Sequence, residues 1–276
     1  MWHKTARATD ARMGTLPMLM NAVLFAAAFL AGVVNSIAGG GTLLTFPALL
    51  AAGLPAVSAN ATSTVALVPG SMSAFWGYRH EIRGEGRLLA AMAVPSLIGG
   101  IVGALTADRV GDDAFAKLAP LLVLGATVLF MAQDPIRRWA LRFADAESHD
   151  PNRRSARHLA AVSAFQLLVA LYGGFFGAGI GILMLASLAL LGLTDIHRMN
   201  GLKNLAAICI NGLAAVTFAL AGRVNWPVAG MMMIGGVLGG FAGARMAKRL
   251  GQETVKRLVV AIGLTISVVL AVRLLL

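Results

Sequence analysis

The sequence predicts an all-α polytopic membrane protein built from two inverted repeats, each of about five helical segments. Three observations carry that prediction. Of 276 residues, 58% are hydrophobic and 13% charged, with a mean hydropathy of +0.79, whereas a soluble domain carries roughly 25% charged residues. Too few polar side chains remain to cover a water-facing surface. The apolar residues fall in long runs separated by short polar breaks, the pattern of spans of about 20 residues each. The chain also matches itself at a constant offset of 140 positions. Gly41 falls on Gly181, Asn60 on Asn200, and Gly99, Gly100, Gly103 and Ala104 on Gly239, Gly240, Gly243 and Ala244.

The tail, residues 1–15, carries Lys4, Arg7 and Arg12 ahead of an apolar stretch from Leu16 to Val34. With Ser36-Ile37-Ala38 behind it, the arrangement looks like a secretory signal. The repeat gives this segment a counterpart in mid-chain, so it is expected to stay. The first repeat, 16–133, divides into apolar segments at about 16–37, 42–53, 56–78, 87–107 and 114–133. The second, 159–276, divides at about 159–177, 182–193, 199–221, 226–246 and 255–275. The second segment of each set, at about 12 residues, reaches about 18 Å and falls short of a ~30 Å hydrocarbon core. Short, glycine-interrupted segments at matching places in two repeats point to a transporter's binding site.

Residues 134–158 form the one clear polar stretch and are expected to be a cytoplasmic basic linker. Within it, Ile136 to Phe143 reads as a short basic amphipathic helix on the membrane surface. Trp76, Tyr78 and Trp226 sit at segment ends, where aromatic belts form. Ten crossings with the N-terminus outside place 16 basic residues inside and 7 outside. Eight crossings, with the short segments re-entrant and the N-terminus inside, place 14 inside and 7 outside. The first scheme fits the positive-inside rule better and makes the repeats inverted.

The net charge of +11 sits in breaks between spans, so it marks membrane orientation and not nucleic-acid binding. A single cysteine, Cys209, excludes an internal disulfide and a multi-cysteine metal site. All twelve acidic residues lie in breaks or tails. An intramembrane aspartyl protease or a carboxylate-based cation pump needs such groups in mid-span, and a zinc protease needs a His–carboxylate set that is missing. The expectation is therefore a protein that is not an enzyme, with no cofactor and no metal.

The spans do contain glycines, hydroxyls, amides and one lysine. Asn35, then Gly39, Gly40, Gly41 and Thr42, open the first short helix. A glycine run before a helix start leaves backbone N–H groups free beside the positive end of the helix, which suits an anion. Gly177, Gly179 and Gly181 open the second short helix. A polar cluster follows each one: Asn60, Thr62 and Ser63 in the first half, Asn200, Lys203 and Asn204 in the second. Lys203 begins a long apolar run, so its ammonium needs a counter-charge or a route to the interface. The glycines at four-residue spacing, Gly99/Gly103 and Gly235/Gly239/Gly243, read as close helix packing.

Ala31 to Thr42, Asn60 to Ser63, Gly173 to Gly181, Leu202-Lys203-Asn204 and Gly222 to Trp226 resemble the sulfite exporter TauE/SafE family of membrane permeases. The resemblance covers nearly the whole chain. It implies an inner-membrane carrier of small anions, often sulfur-containing, such as sulfite or an organosulfonate. The function expected is export of such an anion, or of an organic acid, by alternating access between the repeats. The expected partners are that anion and the lipid bilayer, with no nucleic acid and with homo-oligomerisation left open. The other class compatible with the sequence is a non-transporting membrane scaffold or assembly factor, although the longest break offers only about 25 residues for docking.

Overall fold

The computed structural model describes residues 18–37, 39–82, 86–136, 138–139, 156–191, 193–246, 259–265, 267–269 and 272. Among these the regular structure is entirely helical. The helices are α1 (Met18–Ile37), α2 (Thr42–Ala51), α3 (Ala56–Tyr78), α4 (Gly86–Met131), α5 (Ala156–Phe175), α6 (Ile180–Leu190), α7 (Ile196–Leu220) and α8 (Trp226–Met246). Residues 259–265 and 267–269 are helical as well. α4 is two helices joined at Gly111, whose φ of 75° and ψ of 168° are non-helical. The left-handed φ is accessible to glycine at little cost. Residues on both arms of α4 then reach the same end of α5, Gly103 packing against Phe175 and Phe115 against the Phe175 ring. The ten expected segments are thus present. Most of the expected amphipathic helix, including residues 140–143, lies outside the described residues.

Glycine contacts give the direction of each helix. Gly235 meets Phe25, Gly239 meets Phe29, and Gly243 meets Val33 and Ser36, so α8 runs parallel to α1. Gly236 meets Ala66 and Gly240 meets Gly70, so α8 also runs parallel to α3. In the other half, Gly99 meets Ala170 and Gly103 meets Leu171 and Phe175, so the first arm of α4 runs parallel to α5. Ile82 lies against Gly201, Gly100 against Ile210 and Asp108 against Arg223, so that arm is parallel to α7 too. α3 runs against α7, since Tyr78 stacks on His197 at one end and Asn225 bonds Thr62 at the other. The two sets therefore point opposite ways, and the repeats are inverted. Gly100 against Ile210 and Gly240 against Gly70 are the same contact displaced by 140 in both partners. The fourth helix of each half packs on the first and third helices of the other half, and the repeated glycines permit that close approach.

α1 and α3 run in the same direction, so α2 must carry the chain back between them. α1 and α2 form a hairpin that enters and leaves on one side, and α5 and α6 repeat it from the other side. We name the sides by their loops. The linker face holds 79–82, the end of α4 and 193–195; the far face holds 52–55, Gly111 and 221–225. These loop positions match the ten-segment scheme. The turns at 39–41 and 176–179 lie inside the protein, where the two short-helix starts approach each other. One correction concerns Tyr78. Trp76 and Trp226 are 61% and 57% exposed, as belt residues should be, whereas Tyr78 is 4% exposed and stacks on His197.

The far face is held by polar contacts between the halves. Arg223 donates from Nε to Asp108 at 2.6 Å and from Nη1 to Asp112 at 3.2 Å. Asp112 also accepts the Val57 N–H at 2.8 Å, which caps the start of α3. Below them lies an aromatic cluster in which Phe46 meets Phe176 edge-on at 5.1 Å and Phe115 meets Phe175 at 5.3 Å.

Gly103→Leu and Gly239→Leu are expected to lower the thermal midpoint in detergent markedly, because backbone atoms occupy the space a side chain needs. Gly212→Leu and Gly230→Leu, with open space around each, are expected to leave it within a few degrees. Fluorescence-detected size exclusion after heating would separate the two pairs.

Candidate functional site

The two glycine turns meet. A Cβ added to Gly39 would sit 2.6 Å from the Gly181 Cα. Gly39 and Gly179 have φ of 78° and 79°, values that L side chains adopt only under strain. The Gly177 turn lies beside Thr42 and Asn211. At this junction is a cavity of about 20 Å³, room for roughly one water. Seven of the residues expected from sequence line it: Asn35, Gly39, Thr42, Gly177, Gly181, Lys203 and Asn204. Ser71 and Asn211 line it as well and were not expected. They are related by the same offset of 140, so the repeat carried a signal for them. Each is a polar residue in mid-span on equivalent faces of α3 and α7.

The other expected residues serve elsewhere. The free amides expected at Gly40 and Gly41 are occupied: both donate to the Asn35 Oδ1, at 2.9 and 2.7 Å. The Gly39 amide donates to the Val34 carbonyl. Asn35 thus fills the turn with its own oxygen, in the place an anion's oxygen was expected. Gly40 instead packs on the Phe130 ring, and Gly179 packs near Ala126. Ser63 pairs with Thr45 at 2.5 Å, and Thr62 accepts the Asn225 N–H at 3.0 Å. Both tie helices together and do not line the cavity. Asn60 donates from Nδ2 to the Phe175 carbonyl at 2.9 Å. Asn200 is buried on α7, outside the cavity lining.

Among the described residues Lys203 has neither a counter-charge nor a route to water. It is 1% exposed. Its Nζ donates to the carbonyl of Asn35 at 2.8 Å and to that of Ser36 at 3.4 Å. These belong to the last turn of α1, the negative end of a helix dipole. Among the described residues no carboxylate pairs with it. An ammonium has three N–H donors and no acceptor, so one donor remains beside the cavity. Asn204 Nδ2, 1% exposed at the residue, has no partner among the described residues. The cavity wall therefore offers a lysine amine with no carboxylate partner among the described residues and an unused amide donor. A larger recess of about 490 Å³ beside α1 and α2 is lined by apolar side chains such as Val23, Leu30 and Pro47, and holds no group that could do chemistry.

Broken helices meeting inside an inverted-repeat bundle define a polytopic membrane protein of the class to which secondary transporters belong. The family description "Sulfite exporter TauE/SafE" matches residues 24–270, and the chain belongs to that family. Over 263 residues, 95% of each chain, it is 30% identical to the "Probable membrane transporter protein ORF9" of Sinorhizobium sp. It is 31% identical over 256 residues to the "Probable membrane transporter protein YfcA" of Escherichia coli, covering 91% of this chain and 89% of the other. A "Probable membrane transporter protein" of Haemophilus influenzae is 28% identical over 246 residues, 87% of this chain and 89% of that one. No solved structure matches the chain significantly.

Asn35→Ala removes the acceptor for two buried amides and is expected to destabilise the fold by about 1–3 kcal/mol. Asn35→Asp keeps an acceptor and is expected to recover most of the loss. Thermal midpoints of the two variants, measured side by side, check this.

Proposed function

We propose that the protein carries a small oxyanion across the cell inner membrane by alternating access, with sulfite, an organosulfonate or a small organic acid as cargo. The observation that carries this reading is Lys203: a buried amine, paired with no carboxylate among the described residues, beside a cavity rich in donors. Burying a lone charge is costly, and an anion in the cavity would offset that cost. Lys203 and Asn204 would hold the anion's oxygens, with Thr42, Ser71 and Asn211 setting its orientation. Gly177 and Gly181 would let it approach the backbone. The Asn35 carboxamide would turn aside if the Gly40 and Gly41 amides were to join. At about 20 Å³ the cavity is too small for such a cargo, so it would have to open toward one face to load. The two units, 16–133 and 159–276, would move against each other about the glycine junction.

The basic residues favour the linker face, 134–158 included, as the cytoplasmic side. An inside-negative potential then favours exit of an anion by about 2.3 kcal/mol per charge per 100 mV, which makes export the cheaper direction. The absence of carboxylates from the expected spans argues against an enzyme and against a carboxylate-coupled pump.

In proteoliposomes, sulfite efflux by Lys203→Met is expected to fall at least tenfold, with Lys203→Arg retaining part of the rate. Unchanged flux in the Met variant would remove Lys203 from the mechanism. Failure of the unmodified protein to move sulfite, sulfoacetate or any small carboxylate would favour a scaffold role.

A further inference from the structure

Among the described residues, five of the seven buried side-chain polar atoms without a partner sit on α3 and α7: Asn60 Oδ1, Tyr78 OH, His197 Nδ1, Asn200 Oδ1 and Asn204 Nδ2. A buried polar atom without a partner is expensive, and native structures keep few. Their placement is ordered. His197, Asn200, Asn204 and Asn211 follow one another at steps of three, four and seven residues, which puts them on one face of α7. This polar stripe starts at the linker-face end of α7 and ends at the cavity, where Asn204 and Asn211 form part of the wall. Displaced by 140, the same stripe appears on α3 as Asn60, Thr64 and Ser71. It starts one turn from the far-face end and ends at the cavity with Ser71.

Each stripe is shut at its outer end by a contact between the halves. The α7 stripe ends under the Tyr78–His197 stack, with ring centroids 6.1 Å apart. The α3 stripe ends under Asp112, which caps Val57 and pairs with Arg223. Along their length both are closed: Asn60, Asn200 and Asn204 are at most 2% exposed. Packing alone gives no reason to bury amides at symmetry-related positions on the two central helices with an oxygen of each left unpaired.

The geometry points to two closed half-paths: α7 lines the route between the cavity and the linker face, and α3 lines the route between the cavity and the far face. Water and a small hydrophilic anion would pass along one stripe at a time. The unpaired amide groups would gain partners when their path opens, which lowers the cost of opening, and the outer contacts would act as gates. This assignment rests on the carrier reading, and it adds residues that touch the cargo in transit instead of at rest.

The test is cysteine accessibility in a Cys209→Ser background, reconstituted in vesicles of known orientation, with an anionic membrane-impermeant methanethiosulfonate as the probe. Asn200→Cys and Asn204→Cys are expected to label at least tenfold faster from the linker face than from the far face. Asn60→Cys and Thr64→Cys are expected to show the reverse preference. Ile234→Cys, on an exposed apolar surface of α8, should stay unlabelled. In variants that still run as the unmodified protein on size exclusion, labelling of all four from one face, or of none while sulfite flux persists, would overturn the half-paths. As a second readout, Asn200→Leu fills the same space without a polar group. It is expected to keep its thermal midpoint within a few degrees and lose at least tenfold in sulfite flux; undiminished flux would overturn the assignment. The labelling reads water access and not cargo. The expected face pattern in a protein that moves no sulfite would therefore support the paths and remove sulfite as cargo.

Discussion

A helix that stops inside a bilayer leaves its last carbonyl groups where no water can reach them. α1 and α5 both stop in this way, at the glycine turns that begin the short helices. Each break is satisfied from the opposite half. Lys203 on α7 donates to the end of α1, and Asn60 on α3 donates to the end of α5. The third helix of each repeat thus caps the first helix of the other. Each hairpin leans on the other half, and the halves interlock through glycine contacts so close that a methyl group would clash.

The two caps are not equivalent. An amide satisfies one carbonyl and stays neutral. The lysine amine reaches two, and among the described residues no carboxylate pairs with it. The proposed anion cargo rests on this asymmetry.

The architecture was largely legible in the sequence because it is written in features that survive without a third dimension. The 140-residue offset locates both short helices, and the repeated glycines mark where helices touch. Site detail was less legible. Half of the expected residues line the cavity, but Thr62 and Ser63 proved to be ties between helices, since a hydroxyl near a glycine turn looks the same in either role. Asn35 was expected beside free amides and instead consumes them, an outcome set by a side-chain rotamer. Ser71 and Asn211 were overlooked because each is isolated in an apolar run, although the offset pairs them. Lys203 was left between snorkelling and a counter-charge, and it adopts a third solution, the carbonyls of a helix end, that depends on a partner 168 positions away.

The central claim is that an anion sits at the junction of the broken helices, against Lys203. Anomalous scattering from crystals soaked in selenite, a heavier analogue of sulfite, addresses it most directly. The account predicts a selenium peak within hydrogen-bond reach of the Lys203 Nζ and the Asn204 side chain, absent from crystals of Lys203→Met. A saturated peak elsewhere in the bundle, or one at the junction that persists without the lysine, would contradict it.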